Sequence, residues 1–152
     1  QDFSALVFGD CTLDWRPSMA ATAAASMMGS SSAASVRLRP VRGGRARRVR
    51  FGVSVQSSEP FHALDSQLNY DATSLRLIGV RTLNGARNAL VQYNANIPGT
   101  VVLALANASP ITSGRESILV LDFERRKSGR LRPPQVRTAA VDGRPAAVLA
   151  GE

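Results

Sequence analysis

From residue 36 onward the chain alternates apolar and polar residues with a period of two, and turn-forming dipeptides interrupt the alternation at short intervals. Successive side chains of an extended backbone point to opposite faces, so this period predicts pleated strands with one buried and one wet face. Val36 and Leu38 alternate with Arg37 and Arg39, and Gly43-Gly44 follows as a turn. Val49, Phe51, Val53 and Val55 then alternate with Arg50, Gly52, Ser54 and Gln56. Leu64, Ser66, Leu68 and Tyr70 face one way and Ala63, Asp65, Gln67 and Asn69 the other, until Asp71-Ala72-Thr73 reverses the chain. Residues 75–82 form another strand, closed by the strong turn dipeptide Asn84-Gly85.

Residues 90–96 and 100–106 flank Pro98-Gly99 as a hairpin. The second arm, Val101-Val102-Leu103-Ala104-Leu105-Ala106, is apolar on both faces. Such a strand is either central and covered on both sides or lies at a contact with another body. Residues 117–123 are a further strand, and 135–141 with 146–149 form a candidate hairpin around Asp142-Gly143. Short strands spaced by about 8–12 residues predict an all-β sandwich. No amphipathic helix of useful length competes.

With 152 residues, the chain holds one domain and its extensions. Only 5% of residues are aromatic, so the core is expected to be mainly Val, Leu, Ile and Ala. The organisation expected is an N-terminal segment at 1–17, an Ala/Ser-rich linker at 18–35, a sandwich at 36–125, and a basic segment at 126–152 carrying candidate final strands. The linker is read from composition, being bland, uncharged and without large anchors. The opening at Gln1 reads as a processed or truncated end.

The net charge is +8, and its distribution decides what it means. Arginines without acids cluster over 36–50 and basic residues without acids over 125–137, whereas the stretch between carries more acids than arginines. Two solvated basic edges account for this, and neither an aligned cationic helix nor an aromatic stacking motif argues for nucleic acid. Cys11 is the only cysteine, which excludes an internal disulfide and a cysteine-rich metal site. No apolar run reaches the roughly 18 residues of a membrane span.

The inventory for chemistry is thin. His62 is the sole histidine, at the start of a strand, and reads as a surface or half-buried residue. The carboxylates Asp65, Asp71, Glu116, Asp122 and Glu124 are scattered over different strands, and Asp71 is read as a turn residue that accepts backbone hydrogen bonds. The glycines fit turns rather than a phosphate loop. The expectation is no catalytic residues, no metal site and no cofactor, calcium not being indicated. Asn107-Ala108-Ser109 matches a glycosylation acceptor and is placed in a loop just past a strand.

The run from Phe61 through Tyr70-Asp71-Ala72-Thr73-Ser74-Leu75 to Val80 resembles the early strands of cohesin domains, with Ala72 where that family has Pro. The likeness continues through Leu90-Val91-Gln92-Tyr93-Asn94, residues 99–108 and residues 118–124, spanning about 36–124. At the front, Phe8-Gly9-Asp10-Cys11-Thr12-Leu13-Asp14-Trp15-Arg16-Pro17 is similar to the segment that closes a dockerin-like repeat, without the paired calcium loops. The resemblance implies a nine-stranded jelly-roll sandwich, secreted or at the cell surface, that docks a protein partner such as a dockerin on the outer face of one sheet. It also implies that Asp65 is an outward contact residue, with Gln67 and Asn69 on the same wet face. Ala63 stands where the family has an accompanying Asn.

Three function classes follow. The first is an extracellular recognition module contacting its partner through Asp65, Gln67 and Asn69. The second is a structural subunit of a filament or surface assembly, another copy being the partner; Phe3, Leu6 and Phe8 would complete a neighbour's open sheet edge. The third, a carbohydrate-binding module, has only Trp15, Tyr70 and Tyr93 as stacking groups.

Overall fold

The structure, a computed structural model, describes residues 34–41, 47–112, 114–129 and 131–150. The expectations for Phe3, Leu6, Phe8 and Cys11, for the dockerin-like front and for the Gly43-Gly44 turn lie outside the described residues, as does the linker before Ala34.

Each alternating run forms a strand. In chain order these are β1 (Ala34–Val41), β2 (Arg48–Ser57), β3 (Phe61–Asn69), β4 (Leu75–Thr82), β5 (Leu90–Asn94), β6 (Thr100–Ile111), β7 (Leu119–Arg125), β8 (Gln135–Val141), β9 (Arg144–Pro145) and β10 (Ala147–Leu149). One short 3₁₀ turn, Asn84–Ala86, sits at the predicted Asn84-Gly85 position, where Asn84 takes a left-handed φ of 49° that its short polar side chain tolerates. The strands pair as two five-stranded sheets, β10-β1-β2-β7-β4 and β5-β6-β3-β8-β9. All pairings are antiparallel except β1 with β10. The two sheets pack as a β-sandwich, and the tenth strand beyond the nine expected is the two-residue β9.

Alternation explains the packing. Phe51, Val53 and Val55 of β2 and Leu119, Leu121 and Phe123 of β7 point inward from one sheet. Leu64 and Leu68 of β3 and Val101, Leu103 and Leu105 of β6 meet them from the other. The core is largely aliphatic, as the composition requires, but it is organised around an aromatic cluster. Phe123 lies edge-on to Phe51, with centroids 5.9 Å apart, and to Tyr70 at 5.2 Å. Edge-to-face contacts of this kind add to the burial of the rings themselves.

The predicted Asp71 turn connects β3 to β4. Its carboxylate accepts from the Thr73 amide (2.9 Å), the Thr73 hydroxyl (2.7 Å) and the Ser74 hydroxyl (2.6 Å), while its carbonyl accepts from the amides of Ser74 and Leu75. Hydrogen bonds to the charged form, that from the Ser74 hydroxyl foremost, then those from Thr73, lower its pKa from the usual 3.8 to about 2. A depressed carboxylate pKa stabilises the fold above the ordinary value, and that contribution is lost as pH falls from about 4 to about 2. The Asp71 carboxyl is therefore expected to titrate near 2 by carbon-detected NMR, and the stability gap between wild type and Asp71→Asn to close across that window. A midpoint at 3.8 with a pH-independent gap would show the turn bonds to be absent in solution.

Two expectations are modified. Residues 135–149 make a hairpin only as far as β9: Val141 pairs with Arg144 and Ala140 with Pro145 across Asp142 and Gly143, both at positive φ. Pro145 has no N–H to extend the ladder. After a last bond from the Ala146 amide to the Ala139 carbonyl, the chain crosses to the other sheet, where β10 pairs in parallel with β1. Asn107, expected in a loop, lies within β6, where pairing with β3 shifts between Ala63↔Ala106 and Phe61↔Ile111. This irregular segment is anchored by the His62 ring, whose Nδ1 lies 3.2 Å from the Asn107 carbonyl.

Candidate functional site

The two outer faces of the sandwich differ in chemistry. On the β1-β2-β7-β4 side, Asp122 of β7 accepts from Arg50 Nε of β2 (2.8 Å) and from Arg81 Nε of β4 (3.2 Å), tying three strands together. Beside it Arg76 Nη2 donates to Glu124 (2.6 Å). These pairs are solvent-exposed or partly so, and each adds little to stability, about 0–1 kcal/mol. Their consequence is that this side presents fixed, hydrated charge.

The outer face of β5-β6-β3-β8 sets a strip of small and apolar groups on β6 among polar side chains of its neighbours. The register aligns its rows: Gln92 of β5, Ala104 of β6, Asp65 of β3 and Ala140 of β8 form one, and Asn94, Val102, Gln67 and Thr138 the next. Ala106 and Ala63, with Leu90 of β5, form a third. Val102 is 51% exposed and Leu90 65%, and Ala104 and Ala106 are also exposed. A hydrophobic strand on a solvent face is a departure from alternation that core packing does not require. The β8–β9 hairpin and residues 146–148 wall one side of a shallow depression of about 570 Å³, floored by Ala104, Val102, Asp65 and Gln67.

Asp65 and Gln67 are exposed within this surface, flanked by Ala104, Val102, Ala140 and Thr138. Asn69 continues their row but is half-buried, and its side-chain carbonyl oxygen is enclosed without a partner among the described residues. Thr138 and Arg137 are presented side by side because β8 carries an extra residue opposite Gln67 and Leu68, and bulges of this kind re-aim side chains. His62 is turned to the end of the sheet, where its amide and that of Ala63 donate to Asp142 (2.9 and 2.7 Å). That role is structural.

Asp65 and Gln67 lie on the outward row that period-two alternation predicts, whereas alternation does not single out Val102, Ala104, Ala106 or Leu90. The signal was present in the two-faced apolarity of residues 101–106. Of the two explanations that pattern allows, coverage on both sides is not supplied by the described residues, since Val102, Ala104 and Ala106 stay exposed. No group of three or more His, Cys, Asp or Glu side chains arranged to hold a metal occurs among the described residues. Nor is any helix among them long and apolar enough to cross a membrane.

Comparison with solved structures gives the same fold. The sixth cohesin of scaffoldin B from Acetivibrio cellulolyticus, solved in complex with a mutant Cel5 dockerin, superposes with a TM-score of 0.62 at 15% identity, covering 79% of this chain and 96% of the cohesin. A cohesin module from a Clostridium perfringens family 33 glycoside hydrolase gives 0.60 at 12% identity, covering 80% of this chain and 100% of the module. A non-cellulosomal cohesin from the hyperthermophilic archaeon Archaeoglobus fulgidus gives 0.53 at 15% identity, covering 78% and 86%. No family model and no curated protein sequence matches the chain. The chain therefore has a cohesin-like β-sandwich fold, shared at low sequence identity.

Proposed function

We propose that this chain is a non-catalytic, extracellular protein-recognition module that docks a dockerin-like partner on the outer face of β5-β6-β3-β8. The observation that carries the reading is the exposed apolar strip Val102, Ala104 and Ala106 on a strand between two others, with Asp65 and Gln67 beside it. Flat apolar centres with a few polar groups are the anatomy of protein interfaces, and a standard one buries about 1,600 Å² in total without a deep pocket. The opposite face has fixed ion pairs that a partner would have to desolvate, at a cost that interfacial pairing repays only in good geometry. Several of the solved cohesins of this fold were crystallised with dockerins, which supports the same partner class for this chain.

Each residue has a task in this reading. Val102, Ala104 and Ala106 allow close approach of a helix, since small side chains keep the sheet surface level. Asp65 and Gln67 supply one charged acceptor and one amide at its centre, setting register. Arg137, lifted by the β8 bulge, adds a cation at the rim.

Isothermal titration of the purified chain against a panel of dockerin modules of different specificities tests the proposal. At least one is expected to bind with a dissociation constant of about 1 μM or tighter, equivalent to about −8 kcal/mol. No heat from any member at micromolar concentrations, together with sedimentation as a monomer, would remove this reading.

A further inference from the structure

On the face away from the apolar strip, we infer an oxyanion-binding pocket formed by Arg37, Arg39 and Arg115 over Ser54. Arg37 and Arg39 are outward residues of β1, and Ser54 and Gln56 are the outward residues opposite on β2, with Arg37 paired to Ser54 and Ser35 to Gln56. Arg115 arrives from the segment between β6 and β7. Those groups enclose a pocket of about 340 Å³ whose lining, among the described residues, contains three guanidinium groups and no carboxylate. That volume is at the lower end of small-ligand sites and suits a single phosphorylated or sulfated group.

The pocket is constructed rather than incidental. Gly52 of β2 leaves room for Ser117, because a Cβ there would collide with the Ser117 side chain. The Ile118 amide bonds the Val53 carbonyl (2.8 Å) and the Gly114 amide the Val55 carbonyl (3.1 Å), so the segment bearing Arg115 is laid along β2. Arg37 Nε is buried and has no hydrogen-bond partner among the described residues. Buried donors are almost always paired, so an orphan on a cation is a position prepared for an acceptor.

Electrostatics point the same way. No ion pair of Arg37, Arg39 or Arg115 occurs among the described residues, while Asp122 and Glu124 on this sheet face are taken by Arg50, Arg81 and Arg76. Glu116 neighbours Arg115 in sequence but is exposed and outside the lining. Three planar guanidinium forks around one cavity match a tetrahedral dianion, which offers several acceptor oxygens to donors fixed in direction. The Ser54 hydroxyl, on a residue only 7% exposed, forms the floor.

Nitrogen-15 NMR of the intact chain, with arginine Nε–H resonances included, tests this by titration with inorganic phosphate and, separately, inorganic sulfate. Saturable shifts at the Arg37 Nε–H and the Arg115 amide are expected with at least one of the two, and not with sodium chloride at matched ionic strength. Arg37→Gln and Arg115→Gln should each weaken binding by about tenfold or more, the size of one charge-assisted hydrogen-bond set. Arg132→Gln, outside the pocket, should leave it unchanged. Arg115 lies off the strands, so its variant reports binding even if Arg37→Gln perturbs the sheet. Shifts that never saturate, match those of chloride, or saturate with unchanged affinity in Arg115→Gln would overturn the assignment.

Discussion

Phe123→Ala is expected to lower the unfolding free energy by about 3–5 kcal/mol, the range for deleting a fully buried aromatic ring. Phe123 is 0% exposed on the interior strand β7 and contacts both Phe51 and Tyr70 edge-on. Its removal takes away the shared partner of the cluster and leaves a cavity that the flanking strands β2 and β4, held in register by pairing to β7, cannot collapse to fill. Domains of this size have only about 5–15 kcal/mol in total, so one side chain accounts for a large share of the stability. Urea denaturation followed by far-UV circular dichroism and tyrosine fluorescence measures it. A loss below about 1 kcal/mol would mean that the ring is not packed between the sheets.

Ala104→Arg is expected to weaken binding of whichever dockerin the wild-type chain captures by about 100-fold or more, corresponding to about 2.7 kcal/mol. The substitution places a long charged side chain in the middle of the level strip, beside Asp65 and Gln92, where it holds the partner off the sheet. Because position 104 is already exposed, the melting temperature should stay within a degree or two of wild type. Arg76→Gln on the opposite face removes a charge of similar size and should change affinity less than about twofold. Equal losses from both variants would place the interface elsewhere.

Much of the fold was legible because each strand buries one face only. Val36 and Leu38, Phe51 to Val55, and Leu64 to Leu68 announce their inward sides through the polar residues between them, and all go inward. Asp71 was legible for a local reason, since an Asp followed by Thr73 and Ser74 can satisfy its carboxylate within four residues. Topology was less accessible. Ala147–Leu149 was read as the return arm of a hairpin, yet it pairs in parallel with β1 in the other sheet. Only the missing N–H of Pro145 hinted at a break.

The site was half legible for the same physical reason. Asp65 and Gln67 are polar residues on an alternating strand and could be placed outward by period alone. The strip of Val102, Ala104 and Ala106 could not, because a strand apolar on both faces does not say which face meets solvent until its neighbours are known. Arg37 and Arg115 are brought together only by the way the segment before β7 lies along β2, a long-range pairing that no local pattern encodes.

In the proposed function, one particular sheet face makes the contact. Hydrogen–deuterium exchange of the chain alone and saturated with its captured dockerin measures this directly, strand by strand. Added protection is expected in β3, β6 and β8 and in the adjoining edge strand β5, with β1, β2, β4 and β7 unchanged. Protection centred on β1, β2, β4 or β7, or none in β3 and β6 at saturation, would contradict it.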